Sequence, residues 1–166
     1  DVDAVKRLVD EDAWVCPQSF IVSQPAEGNP TFTDPIQKRK FARAKEGTQN
    51  AFKWFKKYGA KVAWGTDMFG SREAFENTNK EFVTRTEYYS NAEVLQQATS
   101  ANGELLALSN LKHPYPGAKL GVIEAEAYAD LLIVDGNPLD DMKVMLDYEN
   151  NYKLIMKDGV AYKNIL

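Results

Sequence analysis

The chain has 166 residues, 44% of them hydrophobic, with a net charge of −4 and a single cysteine. That is enough for a buried core of about one domain. It excludes a disulfide framework and a cysteine-based structural zinc, offers no basic stripe for nucleic acid, and contains no apolar run near the ~20 residues that span a bilayer. The lone thiol fits a reducing compartment, so a cytoplasmic location is expected, with the periplasm as the other choice because residue 1 is Asp rather than Met.

Residues 3–10 read as the end of a connecting helix, with Val5, Leu8 and Val9 on one face. Residues 13–22 read as a strand interrupted at Pro17-Gln18-Ser19, and a proline there marks an edge, a bulge or a strand end. Residues 23–33 hold two prolines, a glycine and an asparagine and read as a loop, a candidate lid. Asp34-Pro35 starts a helix that should run to about Tyr58, with Asp34 as N-cap, Pro35 in the first turn, Lys56 and Lys57 in the last, and Gly59 just past the end.

Residues 61–65 form the next expected strand, followed by a loop over 66–71. Residues 73–89 read as helical, weakened at Asn77-Thr78-Asn79. Ser90-Asn91-Ala92-Glu93 is a capping box that opens a helix over 92–99, and a further turn runs from 100 to about 108. His113-Pro114-Tyr115-Pro116-Gly117 is a turn. Strands are expected at 120–124, 129–134, 152–156 and 160–163, with Asp158-Gly159 as a hairpin turn. Two βα units imply parallel strands, which need further neighbours to be buried on both faces. A (β/α)₈ barrel takes roughly 250 residues. The chain therefore reads as the last quarter of such a barrel followed by a small β-rich part.

Asp67 ends the Lys61-Val62-Ala63-Trp64-Gly65-Thr66-Asp67 stretch. A carboxylate at the C-terminal end of a barrel strand sits where such folds keep their chemistry. A cap after a strand is the competing role for an Asp. Gly65 and Thr66 shape the turn that presents Asp67. Gln18 and Ser19, beyond the preceding strand, fall on the same rim as candidate substrate contacts. Met68 and Phe69 are candidates to line an apolar substrate pocket. His113, the sole histidine, cannot build a zinc site alone and reads as a turn residue.

Three stretches, in order and at these separations, resemble the C-terminal half of the amidohydrolase superfamily, closest to its imidazolonepropionase-like and Xaa-Pro dipeptidase-like branch. They are Val62-Ala63-Trp64-Gly65-Thr66-Asp67, Glu93-Val94-Leu95-Gln96-Gln97-Ala98-Thr99, and Ala129-Asp130-Leu131-Leu132-Ile133-Val134-Asp135-Gly136-Asn137-Pro138-Leu139. The terminal Ile155-Met156-Lys157-Asp158-Gly159 hairpin also fits. Two departures are Glu124-Ala125-Glu126-Ala127-Tyr128, where the family usually has a Glu-Pro-Gly type turn, and Tyr88, where it often has a helix-ending glycine.

The resemblance implies an α/β fold: the last βα units of a metal-dependent (β/α)₈ TIM barrel in residues 1–110, and strands of a composite β-sandwich in 111–166. It implies a divalent metal, commonly zinc, and hydrolysis of a C–N bond in an amide, cyclic amide or dipeptide by a metal-activated water. Of the family's ligands only Asp67 has a counterpart, in a metal-binding and proton-handling role. The remaining ligands lie in an N-terminal half of the barrel, so the lone chain is expected to be inactive. Exposed strand edges predict a homo-oligomer. The alternative is a non-catalytic α+β binding or assembly module.

Overall fold

A computed structural model describes residues 1–23, 33–68 and 70–166. The chain is α/β and divides into two compact units, Asp1–Tyr88 and Tyr89–Leu166.

In the first unit, α1 (Val2–Asp10) begins at Asp1, whose carboxylate accepts the Ala4 amide at 2.9 Å. Strand β1 (Trp14–Val15) lies parallel to β2 (Lys61–Val62), with Trp14 opposite Lys61 and Val15 opposite Val62. Between them run α2 (Phe20–Ser23) and α3 (Pro35–Tyr58). Helix α3 has the predicted ends: Asp34 accepts the Ile36 and Gln37 amides, and Gly59 takes the left-handed conformation at φ 70°. This is the conformation glycine adopts without a Cβ penalty. Its apolar side supplies Phe52, fully buried, and Phe55 to the core, alongside Val5, Val62 and Ala63.

Three expectations need correction here. The strand predicted over 13–22 stops at Val15, and Phe20 starts a helix instead. Pro17 has no N–H to donate, and the next two amides, of Ser19 and Phe20, go to the Glu81 carboxylate. The strand predicted over 61–65 pairs only to Val62, with one further bond from the Ala63 amide to Val15 O. The carbonyls of Ala63 and Gly65 accept from Arg85 rather than from a strand. The helix over 73–89 is two helices, α4 (Arg72–Glu76) and α5 (Lys80–Arg85). Thr78 bonds its hydroxyl back to Phe75 O at 2.7 Å, competing with the helical ladder at the predicted weak point.

In the second unit, Ser90 and Glu93 form the predicted capping box. One helical run follows: α6 (Asn91–Gln96), a π-turn at Gln97–Ala101, and α7 (Asn102–Ala107). The strand expected at 120–124 is absent. Gly121 sits at φ 73°, and a Cβ there would lie 2.3 Å from the Thr99 carbonyl, so the segment packs as a bend against the π-turn. Glu126, in the segment that departs from the family turn, takes a left-handed φ of 66°.

Strands β3 (Leu131–Val134), β4 (Tyr152–Lys157) and β5 (Val160–Asn164) form an antiparallel sheet in that order, with α8 (Tyr148–Asn151) before β4. Asp158 and Gly159 both have positive φ, 50° and 75°, as a type I′ hairpin requires. Asp130 holds that turn by accepting the Asp158 amide at 2.7 Å. Asn91, at the start of α6, donates to the carbonyls of Pro138 and Leu139, tying that helix to the end of the Ala129–Leu139 stretch.

Among the described residues, no helix is long and apolar enough to cross a membrane.

Candidate active site at the strand ends

Because β1 and β2 are parallel, the residues after Val15 and those after Val62 leave the sheet at the same end. Gln18 and Ser19 follow β1, and Asp67 and Met68 follow β2. Asp67 is exposed and left-handed at φ 53°, a conformation uncommon outside glycine. Thr66 Oγ accepts the Met68 amide at 3.3 Å and closes a local turn around it. Gly65 is required by contact: a Cβ there would lie 2.7 Å from Cys16 Sγ. The loops after the two strands therefore touch at Gly65 and Cys16.

Beneath these turns lies an ion pair that sequence reasoning missed. Glu81 and Arg85 stand one helical turn apart on α5, both fully buried, with Arg85 Nε 2.6 Å from Glu81 Oε1. Arg85 Nη1 donates to Ala63 O at 2.9 Å, and Nη2 donates to Pro17 O and to Gly65 O. Glu81 accepts the Ser19 and Phe20 amides and the Ser19 hydroxyl. The guanidinium also lies over the Phe52 ring, 5.6 Å from its centroid. The available signal was the Glu-x-x-x-Arg spacing, which on an exposed helix is an ordinary surface pair.

The predicted site residues thus have different surroundings. Gln18 donates to Cys16 O at 3.0 Å within its own loop. Ser19 is 3% exposed, and its hydroxyl is shared between Glu81 and Thr84. Met68 is half-buried. Phe69 lies outside the described residues, as do residues 24–32 of the lid loop. Cys16 is exposed as a residue, but burial of its thiol is the main cause of a raised pKa, opposed by Arg85 and reinforced by Glu81.

His113 is the C-cap of a single 3-10 turn, Asn110–Lys112, as expected of a turn residue. Its ring packs edge-on to Tyr115, and its Nδ1 is buried without a hydrogen-bond partner among the described residues. It lines a cleft of about 400 Å³ with Gly103, Glu104, Leu120 and Val122, wholly within the second unit.

A catalytic zinc takes three protein ligands and a structural one four. Among the described residues, no three His, Cys, Asp or Glu side chains converge to hold a metal ion. The described residues therefore do not fit a complete zinc centre.

No protein-family profile and no curated protein matches the sequence. Solved structures do. An amidohydrolase superposes with a TM-score of 0.82 at 30% identity, covering 99% of this chain and 38% of its own. A prolidase crystallised with N-methylphosphonate-L-proline gives 0.80 at 28% identity, with the same coverage. The ochratoxinase of A. niger, at 18% identity and a TM-score of 0.79, shares the fold. The chain spans little more than a third of the length of these proteins. The resemblance drawn from the three stretches is borne out: over 99% of its length this α/β chain is similar in structure to a segment of amidohydrolase and prolidase-like proteins.

Proposed function

We propose that the chain is the C-terminal part of a metal-dependent amidohydrolase that hydrolyses a C–N bond in a small amide, cyclic amide or dipeptide. The observation that carries this reading is the likeness to an amidohydrolase along 99% of the chain at 30% identity, together with a carboxylate, Asp67, beyond the end of a parallel strand. In this reading residues 1–110 supply the last strands and helices of a (β/α)₈ barrel, and residues 111–166 supply strands of a composite sandwich. The parallel pair β1–β2 supports it, because two such strands need neighbours to be buried.

Asp67 is assigned as one ligand of a divalent metal, zinc by resemblance, and as the carboxylate that holds a proton at the reacting centre. The other ligands belong to the remainder of the barrel. Gln18, Met68 and Phe69 are assigned to the substrate rim. Ser19, buried with its amide and hydroxyl held by Glu81, is assigned to support that rim from beneath rather than to touch substrate. Proline-containing dipeptides are the first substrates to try, because a related prolidase holds a proline phosphonate. Exposed Leu132, Ile133, Val160 and Tyr162 on the edge strands support self-association of the lone chain, and the single cysteine supports a cytoplasmic setting.

The test is reconstitution. The 166-residue chain is co-expressed with the His-bearing N-terminal portion of a prolidase-like amidohydrolase, and the purified assembly is assayed for zinc and for Xaa-Pro hydrolysis. Zinc and hydrolysis in the assembly, absent from either part and lost with Asp67→Asn, are expected. A folded assembly that holds no metal would overturn the reading in favour of a non-catalytic module.

A further inference from the structure

The Glu81–Arg85 pair calls for a reason beyond stability. Burying two charges costs desolvation that their attraction often fails to repay, and well-packed apolar side chains of the same volume commonly do as well. What apolar side chains cannot do is grip backbone. Arg85 presents a rigid planar fork with several donors. Here the fork reaches carbonyls from two loops: Pro17 after β1, and Ala63 and Gly65 after β2. Glu81 takes the amides of Ser19 and Phe20 on the β1 side and binds the fork itself. The pair is therefore a bridge between two strand ends, anchored on each by main-chain groups.

Its hold on Asp67 is short. The Gly65 carbonyl is one of the anchors, and only Thr66 stands between it and Asp67. On the far side the Thr66 hydroxyl receives the Met68 amide. A left-handed Asp persists when its surroundings determine it, and these bonds are the surroundings the structure provides.

We propose that Glu81 and Arg85 are positioning residues: they fix the turn that carries Asp67 against the loop that carries Gln18 and Ser19, and so set the geometry of the strand-end site. The catalytic consequence rests on the amidohydrolase reading; the mechanical coupling of the two loops does not.

Amide hydrogen exchange on the 166-residue chain separates the two. Arg85→Lys keeps the charge and loses the fork. Amides of residues 18–20 and 63–68 are expected to exchange about ten- to a hundredfold faster, the range for losing hydrogen bonds to a charged group, while those of α3 keep their rates. Glu81→Gln, which keeps the shape, is expected to accelerate residues 19 and 20 more than residues 63–68. A uniform rise across residues 1–88, as from general loss of stability, would overturn the proposal, as would unchanged exchange at 63–68.

In the reconstituted assembly Arg85→Lys should lower kcat about tenfold or more while KM stays within about twofold, the signature of a lost transition-state arrangement. An active assembly whose kcat ignores Arg85→Lys would overturn the positioning role. A wild-type assembly that shows no hydrolysis would overturn the amidohydrolase reading instead, with the exchange result still deciding the coupling of the loops.

Discussion

Gly65 backs directly onto Cys16: the Cβ that any other residue would bring to position 65 would lie 2.7 Å from Cys16 Sγ, closer than real Cβ contacts come. Gly65→Ala should push the two loops apart and cost about 1–3 kcal/mol, the usual range for overpacking. Removing the sulfur should restore room. The double variant Cys16→Ala/Gly65→Ala is expected to be more stable than Gly65→Ala alone, with a coupling of about 0.5–3 kcal/mol. Urea midpoints of the four proteins give that cycle directly, and simple additivity would place the two loops further apart than the structure does.

The same contact predicts a slow thiol. Burial raises the Cys16 pKa, and Glu81 adds to the rise while Arg85 opposes it. The thiolate is the reactive form. Alkylation by iodoacetamide near neutral pH should therefore be slower than for a small free thiol, with a rate that keeps rising past the pH where the free thiol levels off. Glu81→Gln should move the midpoint downward. A fast reaction at neutral pH would mean that Sγ faces solvent.

Gly121 and Gly59 make a matched pair. Both have φ near 70°, but a Cβ at Gly59 meets nothing within 4 Å, whereas one at Gly121 would overlap the Thr99 carbonyl at 2.3 Å. Gly59→Ala should cost about 1–2 kcal/mol, the left-handed penalty alone. Gly121→Ala should cost clearly more, because backbone rather than a movable side chain is in the way. Thermal or urea unfolding of the two variants tests this, and equal losses would remove the π-turn contact as the reason for the bend.

Asp147 gives the second unit a pH dependence of known sign. Its carboxylate accepts from the Asn150 side chain and backbone and caps α8, which holds its pKa below the ordinary carboxylate value, with Lys163 adding to the effect. A group depressed on folding contributes stability above its unfolded pKa and loses it as pH falls through the lower folded value. Asp147→Ala should therefore destabilise at neutral pH, and the difference from wild type should shrink on acidification below pH about 4. A ¹³C carboxyl titration reads the same shift directly.

Much of the chain is determined by local chemistry and is legible residue by residue. Asp34-Pro35 and Gly59 bound α3, Ser90 and Glu93 cap α6, and Asp158-Gly159 makes the hairpin turn. Each rests on bonds among residues within a few positions of one another. The ordered stretches around Asp67, Glu93 and Ala129–Leu139 carried a family resemblance that the structural relatives bear out. Asp67 was legible as a candidate because strand, glycine and carboxylate are adjacent in sequence.

Tertiary structure decided the rest, and the reason is consistent. The strand predicted over 13–22 ends early because Glu81, over sixty residues away, claims the Ser19 and Phe20 amides. The strand predicted over 120–124 is a bend because Gly121 must clear a helix carbonyl from Thr99. Glu81 and Arg85 look like any surface pair in sequence, and only the fold removes them from water and turns them on two strand ends. Local propensity can be read wherever a backbone group bonds within its own segment. It fails wherever a distant residue takes that bond or fills that space, as Glu81 does at Ser19 and Phe20 and the Thr99 carbonyl does at Gly121.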